Sequence, residues 1–302
     1  MARVIVIGSL NVDLVGMGDA LPRPGETVLG HHYQRLPGGK GANQAVASSL
    51  AGADTLMIGA VGDDADGDFM SQTLDEKGVD TQRLATQAAA TGVALITIAQ
   101  GENQILVVPG ANAMLDPAVV EAVNFTTDDV VLAQNEVPVP VITAGFAKAR
   151  AAGAICVYNP APATTSTKTL LPQADVLVFN DTEMSFYAGV PFDPGNPQAY
   201  WRQVRDDLGV DEATALVLTR GEKGVIAATK TAFIQIEARA VTARDSTGAG
   251  DCFCGYLAAM IAAKYPMDHA LRLATMAASL SVERVGAIPS IPALTEVEAL
   301  LS

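Results

Sequence analysis

Cysteine is scarce: Cys156, Cys252 and Cys254 are the only three in 302 residues. The count is odd, Cys252 and Cys254 are poorly placed to bridge, and no zinc-ligand spacing appears. A disulfide scaffold and a structural zinc site are both excluded, and the chain reads as a reduced, cytoplasmic protein. Histidine also numbers three. The adjacent His31 and His32 would point to opposite faces of one strand, so they are not taken as metal ligands. The lone Trp201 reads as packing. Runs of Lys or Arg are missing: 19 basic residues face 33 acidic ones, for a net charge of −14. Nucleic acid is therefore not an expected partner, because nonspecific binding needs basic patches that displace phosphate counterions. A negative field also repels anionic substrates, so a bound phosphate must be met by local donors or a bridging metal ion. No apolar stretch approaches the ~20 residues of a membrane span. The first apolar run, Val4 to Ile7 before Gly8, is too short for a signal peptide.

What is present is a core. Apolar residues make up 49% of the chain and charged ones 17%, the opposite of a disordered composition. At ~150 residues per domain the length fits one large domain or two modest ones. Residues 3–8 are a β-branched run ending in Gly8, the mark of a buried strand. The pattern continues with strand-like 27–36, helix 42–50, strand 55–61 and helix 66–77. From residue 129 alternation is regular, with strands at 129–134, 154–158, 175–179 and 214–218 and helices at 139–151, 181–188 and 198–208. A hairpin is expected over 224–229 and 232–237, then helices 250–264 and 268–284 and a short helix from about 294. Alternating strands and helices predict an α/β fold with a mainly parallel sheet covered on both faces. Segments 10–37 and 91–110 break the alternation, the second resembling a hairpin around Gly101, and read as a small β-sheet standing on the main one.

In open α/β sheets ligands bind beyond the carboxyl ends of the strands. There the apolar runs stop at Gln134-Asn135-Glu136, Asn159-Pro160, Asn180-Asp181 and Thr219-Arg220-Gly221. One such stop is ordinary turn chemistry; several in register are also what a shared polar cleft would present. Asn11 and Asp13, two apart in extended chain, point the same way. Asp245-Ser246-Thr247-Gly248-Ala249-Gly250-Asp251 runs directly into an apolar helix. A helix start offers unpaired N–H groups and partial positive charge. Asp251 has a plain reading there, as a charge complementing the dipole, and a chemical one, as a base beside a phosphate cradle. Gly38-Gly39-Lys40-Gly41-Ala42-Asn43-Gln44 opens a second helix; it is a plain turn or a close approach to a small ligand, and not a Walker A loop, since that motif's first glycine would fall at Gln34. Glu183, three residues after Asn180, is either a helix-start charge or a group near metal or phosphate.

Taken together, these segments resemble the PfkB (ribokinase-like) family of carbohydrate kinases. The matching pieces are Gly8-Ser9-Leu10-Asn11-Val12-Asp13, Pro24-Gly25-Glu26-Thr27, the glycine loop at 38–45, Gly110-Ala111-Asn112, Asn159-Pro160-Ala161-Pro162, Asn180 with Glu183, and the 245–251 segment, in family order across nearly the whole chain. The resemblance implies a three-layer sandwich with a β-sheet lid: residues 1–9, 38–90 and 113–302 as the nucleotide-binding and catalytic domain, 10–37 and 91–112 as the lid. It implies ATP-dependent phosphorylation of a primary hydroxyl, with D-ribose giving D-ribose 5-phosphate and ADP, or else another pentose, a deoxyribose or a nucleoside.

By the same resemblance Asp251 is the general base and the backbone of Gly248, Ala249 and Gly250 the anion hole. Asn11, Asp13, Gly39, Lys40, Asn43 and Glu136 would line the sugar pocket, with Asp251. Asn180, Thr219, Gly221, Gly224 and Gly250 would fall on the nucleotide side, and Glu183 beside magnesium and phosphate. A potassium-type monovalent cation would lie near Asp245, Thr247, Ser281, Arg284, Gly286 and Ser290. A homodimer through the lid is expected. Three positions depart from the commoner pattern: Asn135 replaces an apolar residue, Asp181 a Glu and Ser246 a Thr. Asn135 puts sugar identity in question, as an extra donor and acceptor beside Glu136. A non-catalytic sugar-binding protein would be expected to lack Asp251 or the glycines, and a nicotinamide oxidoreductase would need a Gly-x-Gly-x-x-Gly after the first strand; neither description fits.

Overall fold

The computed structural model describes residues 2–190 and 197–301. Its strands, in chain order, are β1 (Arg3–Ile7), β2 (Asn11–Gly18), β3 (Gly30–Gly38), β4 (Asp54–Gly62), β5 (Val79–Gln87), β6 (Gly92–Ala99) and β7 (Glu102–Val108). They continue with β8 (Val130–Ala133), β9 (Ile155–Tyr158), β10 (Val176–Asn180), β11 (Ala215–Thr219), β12 (Val225–Ala228) and β13 (Phe233–Ile236). The helices are α1 (Lys40–Leu50), α2 (Ala65–Glu76), α3 (Ala118–Glu121), α4 (Val139–Ala152), α5 (Asp181–Ala188), α6 (Pro197–Leu208), α7 (Ala249–Ala262), α8 (Met267–Ser281) and α9 (Leu294–Glu298).

Nine strands form one sheet in the order β13-β12-β11-β10-β9-β8-β1-β4-β5. All neighbours from β11 to β5 are parallel, and β12 and β13 close one edge as an antiparallel hairpin. The expected α/β class and mainly parallel sheet are what is found. β1 shows why both faces are covered. Val4 and Val6 pack with α1, α7 and α8, while Ile5 and Ile7 pack with α4, α5 and α6 on the other side. Trp201 is buried in that second layer, as packing. One strand goes unanticipated: β5 extends the sheet beside β4, but its VDTQRLATQ sequence is mostly polar because it lies at an edge.

The chain runs from β1 to β4 and β5 on one side, then fills the other side from β8 onward. The order therefore reverses between β1 and β8, the place where open α/β sheets bind ligands. A separate four-stranded sheet, β3-β2-β6-β7, is built from the two segments that break the alternation. β6 and β7 turn at Gln100 and Gly101, both at positive φ, as a two-residue hairpin requires. Asn112 stitches this sheet to the core: its side chain accepts from the Leu10 N–H and donates to the Leu10 carbonyl and to Asn11 Oδ1.

Candidate active site

Asp251 lies in the first turn of α7, just past Gly248, whose φ of 74° allows the tight entry into the helix. The side chain is buried, yet both oxygens are met: Asn43 donates to Oδ2 and Gln44 to Oδ1, each at 2.9 Å. Asn43 and Gln44 come from α1, which begins at Lys40 after Gly39, at φ 87°. A Cβ on Gly39 would stand 2.7 Å from the Asn11 nitrogen, so the glycine permits the loop to press against the start of β2. Glu136, just after β8, accepts from the Ser9 hydroxyl at 2.5 Å and the Lys40 backbone N–H at 3.0 Å.

Asp13 completes the group from β2. A Cβ on Gly38 would fall 2.3 to 2.5 Å from its carboxylate atoms, so glycine is needed beside it. Burial, followed by the charges of Glu136 and Asp251, pushes the Asp13 carboxyl up to about 7. The Lys40 ammonium is pushed upward, first by Asp251 and then by Glu136, against the opposing effect of burial. Thus Asn11, Asp13, Gly39, Lys40, Asn43, Glu136 and Asp251 converge between β1, β2, β8, α1 and α7.

Two hollows meet at the start of α7. The smaller, about 200 Å³, is bordered by Lys40, Asn159, Asn180, Glu183, Gly248 and Asp251. The larger, about 650 Å³, is bordered by Thr219, Gly221, Gly224, Val225, Phe253 and Thr275, among others. Thr219 and Gly250 line both. A Cβ on Gly250 would meet nothing within 4 Å, so the backbone there faces open space. The geometry suits an anionic chain running from the large apolar-walled hollow, past helix-start N–H groups, toward Asp251.

Glu183 is the helix-start group of the first of its two sequence readings. Its Oε2 accepts from the Asn180 N–H while Asn180 Oδ1 accepts from the Glu183 N–H, a reciprocal helix cap. It also borders the smaller hollow, where burial raises its carboxyl pKa. Asp181 lies 3.5 Å from Arg220 Nε, and Ser246 borders the larger hollow. The 245–248 loop packs on the 282–290 segment: Asp245 accepts from the Thr247 and Gly286 N–H groups at 2.9 and 2.8 Å. The Ser281 and Ser290 hydroxyls donate to nearby backbone carbonyls, and the Arg284 guanidinium pairs with Glu296. Among the described residues no three His, Cys, Asp or Glu side chains cluster to hold a metal by themselves.

Asn135 spends its amide on a set of partners of its own. Its amide nitrogen donates to the Pro162 carbonyl at 2.9 Å and to Thr167 Oγ1 at 3.1 Å, and its oxygen accepts from the Tyr158 hydroxyl. None of these partners is among the groups, Ser9 and Lys40, that hold Glu136. Sequence reasoning left Ser9, Gln44 and Asn112 out of the site; each sits inside a motif it had singled out, but only contacts across the chain reveal their partners.

Residues 1–294 match the pfkB family carbohydrate kinase model. The chain belongs to the pfkB family of carbohydrate kinases. It is 37% identical to a ribokinase of Staphylococcus aureus over 301 residues, covering 98% of each chain. It is 36% identical to a ribokinase of Bacillus subtilis over the full length of both. A solved structure of Arabidopsis thaliana ribokinase, complexed with ribose and ATP, superposes with a TM-score of 0.89 at 30% identity, covering 100% of this chain and 99% of that one. The protein is an ATP-dependent sugar kinase.

Proposed function

We propose that the protein transfers a phosphoryl group from ATP to the 5-hydroxyl of D-ribose, releasing D-ribose 5-phosphate and ADP. The observation that carries this reading is Asp251, a carboxylate held by two amides where the polar pocket meets the phosphate-sized hollow. Likeness to ribokinases over the whole chain supports the choice of sugar. Asp251 takes the hydroxyl proton as that oxygen attacks phosphorus. The N–H groups of Gly248, Ala249 and Gly250 meet the charge on the transferring group. Asn11, Asp13, Gly39, Lys40, Asn43 and Glu136 pair with the sugar hydroxyls, so that a sugar lacking one leaves a buried polar group unmatched. Asn180, Thr219, Gly221 and Gly224 flank the nucleotide.

The Glu183 carboxylate, bordering the smaller hollow, suits magnesium that keeps waters and arrives with the phosphates, given the absence of a carboxylate cluster among the described residues. Bound there, magnesium would neutralise phosphate charge in a protein of net charge −14. The oxygens around Asp245, Thr247, Ser281, Arg284, Gly286 and Ser290 suit potassium, chiefly through backbone carbonyls. The small sheet, within residues 10–37 and 91–112, acts as a lid over residues 1–9, 38–90 and 113–302, excluding water during transfer. Its outer strand β7 is exposed along its whole length and carries Ile105, Leu106, Val107 and Val108. A second copy of the chain covers that surface in a homodimer, as expected for a cytoplasmic enzyme of this family.

The deciding experiment is ADP release with ATP and magnesium across D-ribose, 2-deoxyribose, D-fructose, adenosine and uridine, with and without potassium. Preference for D-ribose, raised by potassium, is the expected result. Preference for a nucleoside or for 2-deoxyribose overturns the sugar assignment.

A further inference from the structure

We propose that Gln44 is a positioning residue that fixes the charge state and orientation of Asp251, within a polarised chain of buried amides. This rests on Asp251 serving as the base. The chain starts at a group that can only accept, the Val178 carbonyl of β10. Asn159 Nδ2 donates to it at 2.9 Å, which turns Asn159 Oδ1 toward Gln44. Gln44 must therefore present its nitrogen: Nε2 donates to Asn159 Oδ1 at 3.2 Å and to Asp251 Oδ1 at 2.9 Å. Its oxygen, turned the other way, accepts from Gln134 Nε2 at 2.7 Å. Gln44 and Gln134 are wholly buried, so no water competes for these groups.

The polarity has a chemical consequence. Gln44 has both amide hydrogens and its oxygen engaged, and flipping it would set oxygen against oxygen at Asp251 and Asn159 while turning nitrogen toward nitrogen at Gln134. Asp251 Oδ1 thus always meets an N–H, and Asn43 gives Oδ2 the same kind of partner. Hydrogen bonds donated to a carboxylate favour its charged form. The chain holds the Asp251 carboxylate in one orientation, with a donor on each oxygen, and leaves its remaining lone pairs for the substrate hydroxyl.

The test is the pH dependence of kcat at saturating sugar and ATP, which reports groups in the substrate complex and removes the contribution of sugar binding. Gln44→Met, with the amide lost and the volume kept, moves the acidic limb upward by about one pH unit. Gln44→Glu sets a carboxylate against a carboxylate and moves it further in the same direction. Gln134→Met, which frees the Gln44 oxygen, gives a smaller upward move and stands in should Gln44→Met fail to fold. An acidic limb at the wild-type pH in folded variants overturns the proposal. Asp251→Asn separates the two readings: if it keeps turnover, the base assignment itself falls, and if it is inactive while the Gln44 variants show no shift, only the amide chain does.

Discussion

Gly255 follows Asp251 by one helical turn and faces Gln44: a Cβ there would stand 2.4 Å from the Gln44 carbonyl oxygen and 2.5 Å from Ala47 Cβ. The missing side chain sets how closely α1 and α7 cross. That crossing, in turn, brings the Asn43 and Gln44 amides within 2.9 Å of Asp251. Gly255→Ala should therefore harm both stability and turnover. Alanine gains about 1 kcal/mol of helix propensity, but the clash is with backbone and cannot be relieved by a side-chain rotation. Overpacking costs about 1–3 kcal/mol, so thermal denaturation should show a net loss. An unchanged melting temperature with full turnover would mean that the crossing is looser than described.

Asp251→Asn keeps the shape but removes the proton acceptor; its new NH2 can be met by the Asn43 amide turned to present its otherwise unpartnered oxygen, while its oxygen still accepts from Gln44. Turnover should fall about 10²- to 10⁴-fold, while calorimetry still detects sugar binding. Near-wild-type turnover would remove Asp251 from the chemistry.

Asp13 makes sugar affinity sensitive to pH. Its carboxyl is raised to about 7 by burial and by Glu136 and Asp251. If the sugar is bound by the carboxylate form, affinity weakens about tenfold per pH unit below 7. The stability of the sugar-free protein moves the opposite way. A carboxyl whose folded pKa lies above its unfolded value holds more protons when folded, so stability is lost as pH rises between the two. Asp13→Asn should consequently stabilise the sugar-free protein more at pH 8 than at pH 5, while abolishing sugar binding. Equal effects at the two pH values would contradict the raised pKa.

The architecture was largely legible because buried parallel strands are continuous apolar runs, and the polar residues after them mark one end of the sheet. β5 was not, since an edge strand needs no such run. Within the site, glycine-rich helix starts and the Asn11–Asp13 pair announced themselves locally. The partners of Gln44 could not: Gln134, Asn159 and Asp251 lie 90, 115 and 207 positions away. Gly255 gave only a weak signal, as a glycine inside an otherwise strong helix pattern.

Asn135 shows how adjacency misleads. It neighbours Glu136 but bonds to Pro162, Thr167 and Tyr158, none of which holds Glu136. Asn135→Leu should leave the preference among sugars unchanged in a competition assay. It should lower stability by about 1–3 kcal/mol, because the buried Tyr158 hydroxyl loses a partner. A changed sugar preference would place Asn135 at the pocket after all.

The small sheet raises the question of assembly. Ile105 and Val107 lie on the face of the small sheet that carries Asp13, and Leu106 and Val108 on the other, by their pairing with β6 and β2. All four are between 45% and 62% exposed, an unusual concentration for a surface strand. A strand exposed on both faces and along its edge is a template for pairing unless another chain covers it. Replacing Ile105 and Leu106 together by Glu puts one charge on each face without touching any residue of the main sheet. If the wild-type protein forms the proposed dimer, sedimentation equilibrium should find the variant monomeric, with weaker sugar binding if the partner steadies the small sheet. A monomeric wild-type protein, or a dimer indifferent to both charges, would place the contact elsewhere or remove it.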